Sequence, residues 1–135
     1  MIAAAALFIL AQAGPTATNE MRDLNCDDPQ AQIEMNLCAW RDFEAADAAL
    51  NGQWAETSTK MKALDAERLP DNQPGYFETL LEAQRAWLKF RDAQCLSEGF
   101  LARGGSAQPL LVAQCRAYLT EMRTEQLRNL SAGPE

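Results

Sequence analysis

The sequence contains no histidine among its 135 residues. Histidine is the commonest general base of enzymes and the commonest protein ligand of metal ions, so its absence argues against both kinds of site. The motifs GxSxG, HExxH and the P-loop, which would place a nucleophile, a zinc ion or a phosphate, are also absent. We therefore predict a protein that is not an enzyme and that holds no metal and no cofactor.

Basic residues are in the minority. The chain has 12 Lys and Arg against 19 Asp and Glu, which gives a formal net charge of -7. An acidic surface repels nucleic acid and anionic lipid head groups, whereas it attracts a basic protein and speeds its association. We expect no nucleic-acid partner.

Long apolar runs are scarce, and the one at the N-terminus is too short to cross a bilayer, which takes about 20 helical residues. Residues 2–11 are almost wholly apolar and lead into Ala11-Gln12-Ala13, a pattern typical of a secretory signal peptide. The alternative is a buried N-terminal helix. We predict a signal peptide at residues 1–13, a single mature domain at residues 14–135, a periplasmic or secreted location, and no stable membrane insertion after cleavage.

The four cysteines are Cys26, Cys38, Cys95 and Cys115. Their spacings contain neither the close pairs of a zinc site nor the CxxC of a redox motif. An even number of cysteines in a small exported chain indicates structural disulfides. Two disulfides are therefore predicted, with three pairings open at this point.

No segment alternates polar and apolar residues as a strand does, and the periodicity is helical. The first helix is expected to follow Asp27-Asp28-Pro29 and to end before the Pro- and Gly-rich turn at residues 69–75. The second spans residues 76–101, and the third runs from Pro109 to about residue 130. Because short links make neighbours antiparallel, the predicted fold is all-α, a small antiparallel bundle of three main helices stapled by two disulfides.

Each predicted helix carries one mostly apolar face, with residues at steps of three and four. These faces are Ile33, Asn36, Trp40, Phe43, Asp47, Leu50, Trp54, Thr57, Met61 and Leu64 on the first helix; Phe77, Leu80, Leu81, Gln84, Trp87, Leu88, Arg91 and Cys95 on the second; and Leu111, Cys115, Tyr118, Leu119, Met122 and Leu130 on the third.

Two consequences follow from a hairpin that turns near residue 70. Asp47 lies level with Arg91, and we predict an ion pair that fixes helix register, the alternative being a polar ligand pocket. The start of the first helix, the end of the second and the start of the third share one end of the bundle. There we favour the disulfides Cys95–Cys115 and Cys26–Cys38, although the other pairings would cross-link the same end.

Five parts of the sequence carry a family resemblance, namely Cys26 with residues 32–39, and residues 46–51, 83–95, 104–106 and 115–123. They resemble the LprI-type lysozyme-inhibitor domain family, and the resemblance covers nearly all of the predicted mature chain. One departure is Ala31, where the family usually has a Thr that would cap the first helix, and we expect Asp28 to take that role.

The resemblance implies an exported, non-enzymatic binding protein that blocks a peptidoglycan-cleaving enzyme, with a basic lysozyme or another cell-wall hydrolase as partner. A rigid loop at one end of the bundle is the candidate partner-binding segment, formed by Arg103, Gly104, Gly105 and Ser106. The first alternative is a structural or interaction protein of the cell envelope with a different partner. The second is a hydrolase that uses a serine–lysine pair.

Overall fold

The computed structural model describes residues 24–133, and the predicted signal peptide at residues 1–13 lies outside them. Three helices account for most of this range: α1 (Gln32–Glu67), α2 (Tyr76–Gly99) and α3 (Gln108–Ala132), with a 3-10 turn at Phe100–Ala102. Between residues 24 and 133 there is no strand. The predicted all-α fold is confirmed. α3 continues to Ala132, two residues beyond the predicted end near residue 130.

The helices run up, down and up. Asn36 Nδ2 donates to the carbonyl oxygen of Ser106, and Thr57 Oγ1 donates to that of Leu127, two contacts that each join residues 70 apart. A constant separation means that α1 and α3 are parallel. α2 runs antiparallel to α1, because Arg91 late in α2 reaches Asp47 early in α1.

The core combines large apolar side chains with small ones. Its centre consists of Leu50, Met61, Leu80 and Leu127. Around it, α1 and α3 form the most extensive interface of the bundle. Two fully buried threonines lie at helix contacts, and both hydroxyls are hydrogen-bonded, as buried polar groups require. They are Thr57, which donates to Leu127 O, and Thr120, which accepts from Arg91.

The predicted apolar face of α3 was wrong for three of its residues. Tyr118 is 61 % exposed, and Met122 and Leu130 are about half exposed. Mostly small side chains face the core instead, where α3 packs against a part of α1 whose buried residues include Ala39 and Ala46. The buried side chains of α3 are Ala113, Cys115, Ala117, Thr120, Thr124 and Leu127.

Three residues predicted on the core faces of α1 and α2 are also exposed. Ile33 and Trp40 lie in the first turns of α1, where the bundle ends, and Leu88 lies on the solvent side of the α2 face. The remaining residues of these two faces are buried or half-buried.

The prediction that Asp28 caps α1 was wrong. The N-cap is Ala31, and Glu34 reaches back so that its Oε2 accepts the backbone N–H groups of Ala31 and Gln30 at 3.1 and 2.9 Å. These hydrogen bonds, that of Ala31 first, lower the pKa of Glu34 below its ordinary value. A carboxylate three residues into the helix therefore replaces the missing cap side chain.

Asp65 at the end of α1 caps the start of α2. Its two carboxylate oxygens accept the N–H groups of Tyr76 and Phe77 at 2.7 and 2.9 Å. The bond from Phe77 does most to lower the pKa of Asp65, and Tyr76 and Arg68 add to the effect against an opposing contribution from burial. This single side chain therefore joins the end of α1 to the start of α2 across the loop between them.

Candidate functional site

Both disulfides lie at the end of the bundle where α1 and α3 begin and α2 ends. Cys26 is bonded to Cys38, with a Cα–Cα distance of 5.7 Å, and Cys95 to Cys115, with 5.3 Å. The predicted pairing is confirmed. The first bond ties the N-terminal arm to α1, and the second joins α2 to α3 just below the loop between them.

That loop contains the predicted partner-binding residues, and all four are exposed. We call residues 103–106, namely Arg103, Gly104, Gly105 and Ser106, the tip loop. Gly104 adopts a positive φ of 77°, a conformation that favours glycine, and its N–H donates to Gln108 Oε1 at 3.0 Å. The bond from Asn36 to Ser106 O then holds the loop against α1.

Apolar side chains surround the tip loop. Leu101 is 86 % exposed, and Phe100 and Trp40 are about 40 % exposed. The guanidinium carbon of Arg103 lies 4.5 Å from the centre of the Phe100 ring, a cation–π contact that orients the charge. This end of the molecule therefore presents apolar surface and a positive charge on a fixed loop.

The structure brings the two residues of the predicted ion pair together. Arg91 Nη1 lies 3.4 Å from Asp47 Oδ1. The side chain of Arg91 is 8 % exposed, but that of Asp47 is 41 % exposed, so only the arginine is buried. Arg91 also donates from Nε to Asp92 Oδ1 at 3.1 Å and from Nη1 to Thr120 Oγ1 at 3.3 Å.

Arg91 is the centre of a larger group that the sequence analysis missed. Its guanidinium carbon is 5.2 Å from the ring centres of both Phe43 and Trp87. Arg116 approaches the Phe43 ring at 5.8 Å, and Arg123 the Trp87 ring at 5.9 Å. We call these five residues the arginine–aromatic stack.

One pattern could have revealed the outer members of the stack. Arg116 and Arg123 are seven residues apart, which places them on one face of α3. That face of α3 is directed toward α2. The rings that the two arginines approach, Phe43 on α1 and Trp87 on α2, lie on faces that the sequence predicts as buried. The stack fills the space between the three helices, which supports a structural role.

Two properties of residues 24–133 concern metal ions and membranes. In this range no group of three or more Cys, Asp or Glu residues is arranged to hold a metal ion. The helices of this range are too short or too polar to cross a membrane.

The chain is similar to proteins of one family. The family model described as lysozyme inhibitor LprI matches residues 25–127, a range that contains all four cysteines and the tip loop. An uncharacterised protein of Rhizobium meliloti (strain 1021) is 40 % identical over 136 residues, which cover 98 % of this chain and 97 % of that protein. No solved structure matches the chain.

Proposed function

Because this chain belongs to the lysozyme inhibitor LprI family, we propose that it is an exported, non-enzymatic protein that inhibits a peptidoglycan-cleaving enzyme by occupying its substrate cleft. Lysozymes act on the cell wall, so inhibitor and target would meet in the periplasm or outside the cell. Residues 1–13 would serve as the export signal and be removed.

The rigidity of the tip loop is the observation that carries this proposal. The loop is exposed, yet it is held by the Cys95–Cys115 disulfide below it, by the side chain of Asn36 and by that of Gln108. A loop that is already fixed loses little conformational entropy on binding, so more of the contact energy contributes to affinity. Leu101 adds apolar area beside it.

The net charge of the protein and the local charge of Arg103 both support the proposal. The net charge of -7 attracts a basic enzyme and raises the association rate. At the contact itself, the target would present acidic groups, since glycosidases usually carry a pair of carboxyl groups in their substrate cleft. Arg103 presents a guanidinium at the exposed end of the molecule, where it would meet those carboxylates once the loop had entered.

The test is the lysis of a cell-wall suspension by basic lysozymes in the presence of the oxidised protein. We expect dose-dependent inhibition that weakens between about 50 and 150 mM salt, because screening weakens attraction between exposed charges. Arg103→Glu and Leu101→Glu should each weaken inhibition at least about tenfold, the effect of losing one central contact.

Leu69→Glu is the matched control. Leu69 is 82 % exposed, much like Leu101, but it lies at the opposite end of the bundle. Inhibition should be the same in this variant as in the unchanged protein. An absence of inhibition across several lysozyme types would remove the proposal and favour a different envelope partner, and release of wall fragments by the protein alone would favour a hydrolase.

A further inference from the structure

A recess opens at the end of the bundle away from the tip loop, where the α1–α2 loop meets α3. This cleft has a volume of about 480 Å³, within the range of about 300–1,000 Å³ typical of small-molecule sites. Much of its wall is apolar, and Tyr76 and Leu130 each keep about half of their surface exposed there. The apolar lining residues are Met61, Pro74, Tyr76, Leu80, Ala83 and Leu130.

Two arginines line the cleft, and they differ in their partners. Arg68 is paired with Asp65 at 3.4 Å and with Asp71 at 2.9 Å. Arg123 donates from Nε to Gln84 at 2.9 Å and from Nη1 to Gln126 at 3.1 Å, and both acceptors are neutral amides. Among residues 24–133 no carboxylate lies within the 4.0 Å ion-pair distance of Arg123.

Within residues 24–133, Arg123 is therefore a partly buried cation without a carboxylate partner. Its burial lowers the pKa of its guanidinium, which reflects the cost of removing a charge from water. A guanidinium has five N–H groups, and the two amides take only two of them. The remaining donors can bind one carboxylate of a ligand.

From this combination we propose that the cleft binds a small amphiphile, a molecule with one carboxylate joined to a short apolar chain. The carboxylate pairs with Arg123, and the chain covers Met61, Leu80 and Leu130. A single negative charge matches Arg123, the cation of the cleft that has no carboxylate partner within residues 24–133, whereas Asp71 in the lining disfavours a more highly charged head group. Because the cleft and the tip loop lie at opposite ends, this site is independent of the proposed inhibition.

Titration of the whole protein with decanoate, below its micelle-forming concentration, tests the proposal. Tryptophan fluorescence gives the readout, since the Trp87 ring contacts Arg123. We expect saturable binding of decanoate, binding of decanol that is at least about tenfold weaker through loss of the charged bond, and no saturable binding of decyltrimethylammonium. Equal binding of decanol would overturn the proposal, because the bond between the carboxylate and Arg123 would then contribute nothing.

Two sources can supply this chemistry, a fatty acid and the apolar C-terminal residue of a peptide. A parallel titration with acetyl-alanyl-leucine separates them. Tighter binding of decanoate assigns a fatty acid, and tighter binding of the dipeptide assigns a peptide terminus. If neither ligand binds, the proposal fails.

Variants connect binding to the cleft. Arg123→Gln should weaken decanoate binding about tenfold or more. The control is Arg128→Gln on the same helix, which should leave decanoate binding unchanged, because Arg128 pairs with Glu125 and does not line the cleft. Ala83→Trp keeps Arg123 and fills the cleft from an exposed position, so it should abolish binding without unfolding the protein. Unchanged affinity in a folded Ala83→Trp variant would refute this location.

Discussion

Removal of Arg91 should destabilise the protein far more than removal of its partner Asp47. The Arg91 side chain is 8 % exposed and lies between the rings of Phe43 and Trp87. Arg91→Ala would empty this site and would take the donor away from the buried hydroxyl of Thr120. We expect a loss of about 3–5 kcal/mol in the free energy of unfolding, the usual cost of truncating a large buried side chain or of breaking a buried pair.

Asp47→Ala should cost only about 0–1 kcal/mol, as for an exposed ion pair. Its carboxylate is 41 % exposed and 3.4 Å from Arg91, which keeps Asp92 at 3.1 Å. Asp92→Ala alone should have a similarly small effect, since that side chain is 51 % exposed. The double variant should lose more than the sum, by about 0.5–3 kcal/mol, because the buried guanidinium then loses both carboxylates.

Urea unfolding of the oxidised variants at neutral pH, analysed by linear extrapolation, measures these differences. Arg85→Ala, an exposed arginine on the same helix, is the control and should change stability by less than about 0.5 kcal/mol. If Asp47→Ala cost as much as Arg91→Ala, the ion pair rather than the packing of Arg91 would dominate. A loss below 1 kcal/mol for Arg91→Ala, well under the expected ~3–5 kcal/mol, would refute the burial argument altogether.

Two further predictions concern the helix connections. Gly99→Ala should destabilise the protein by about 1–3 kcal/mol in thermal or urea unfolding, because an added Cβ would lie 2.4 Å from Val112 Cγ2. The control is Gly52→Ala, which should stabilise by about 0.5–1 kcal/mol because nothing lies within 4 Å of the added Cβ. Equal effects of the two changes would contradict the close approach of α2 and α3. The Asp65→Asn variant should be less stable than the unchanged protein at pH 7, and the stabilities of the two proteins should converge in acid. The folded-state pKa of Asp65 is lowered, so the stability that its carboxylate contributes is present above the unfolded pKa of about 3.9 and is lost as the pH falls through the folded pKa. Parallel stability curves down to pH 2, well below that value of about 3.9, would contradict this cap.

The parts of the fold that large apolar residues define could be predicted from the sequence. On α1 and α2 the core positions Leu50, Met61 and Leu80 are large and regularly spaced, so the buried faces are readable. Counting outward from the turn near residue 70 placed Asp47 level with Arg91, and the structure shows them in contact. Similarly, the two disulfides were predicted because the antiparallel arrangement brings their cysteines to one end of the bundle.

The orientation of α3 could not be predicted in the same way. Its core positions are taken by small residues such as Ala117 and Thr120, whereas the larger Tyr118 and Met122 face solvent. A pattern that weighs residues by hydrophobic size therefore indicates the wrong face. The orientation of α3 depends on the space left by α1, where Ala39 and Ala46 are buried. That space is a property of the two helices together, so the sequence of α3 alone does not reveal it.

The arginine–aromatic stack links this packing to the outer charge of the molecule. Three of the 12 basic residues, Arg91, Arg116 and Arg123, are turned between the helices, while Asp47 and Asp92 remain at least 41 % exposed. These three positive charges therefore lie deeper than the acidic groups that Arg91 and Arg116 face, while the net charge of -7 sets the long-range attraction of a basic partner. The aromatic rings make this inward placement tolerable, because each ring face attracts a cation and separates it from the next. An arginine that is neither stacked on both sides nor paired with a carboxylate keeps its capacity to bind an anion, and Arg123 at the end of the stack is in that position.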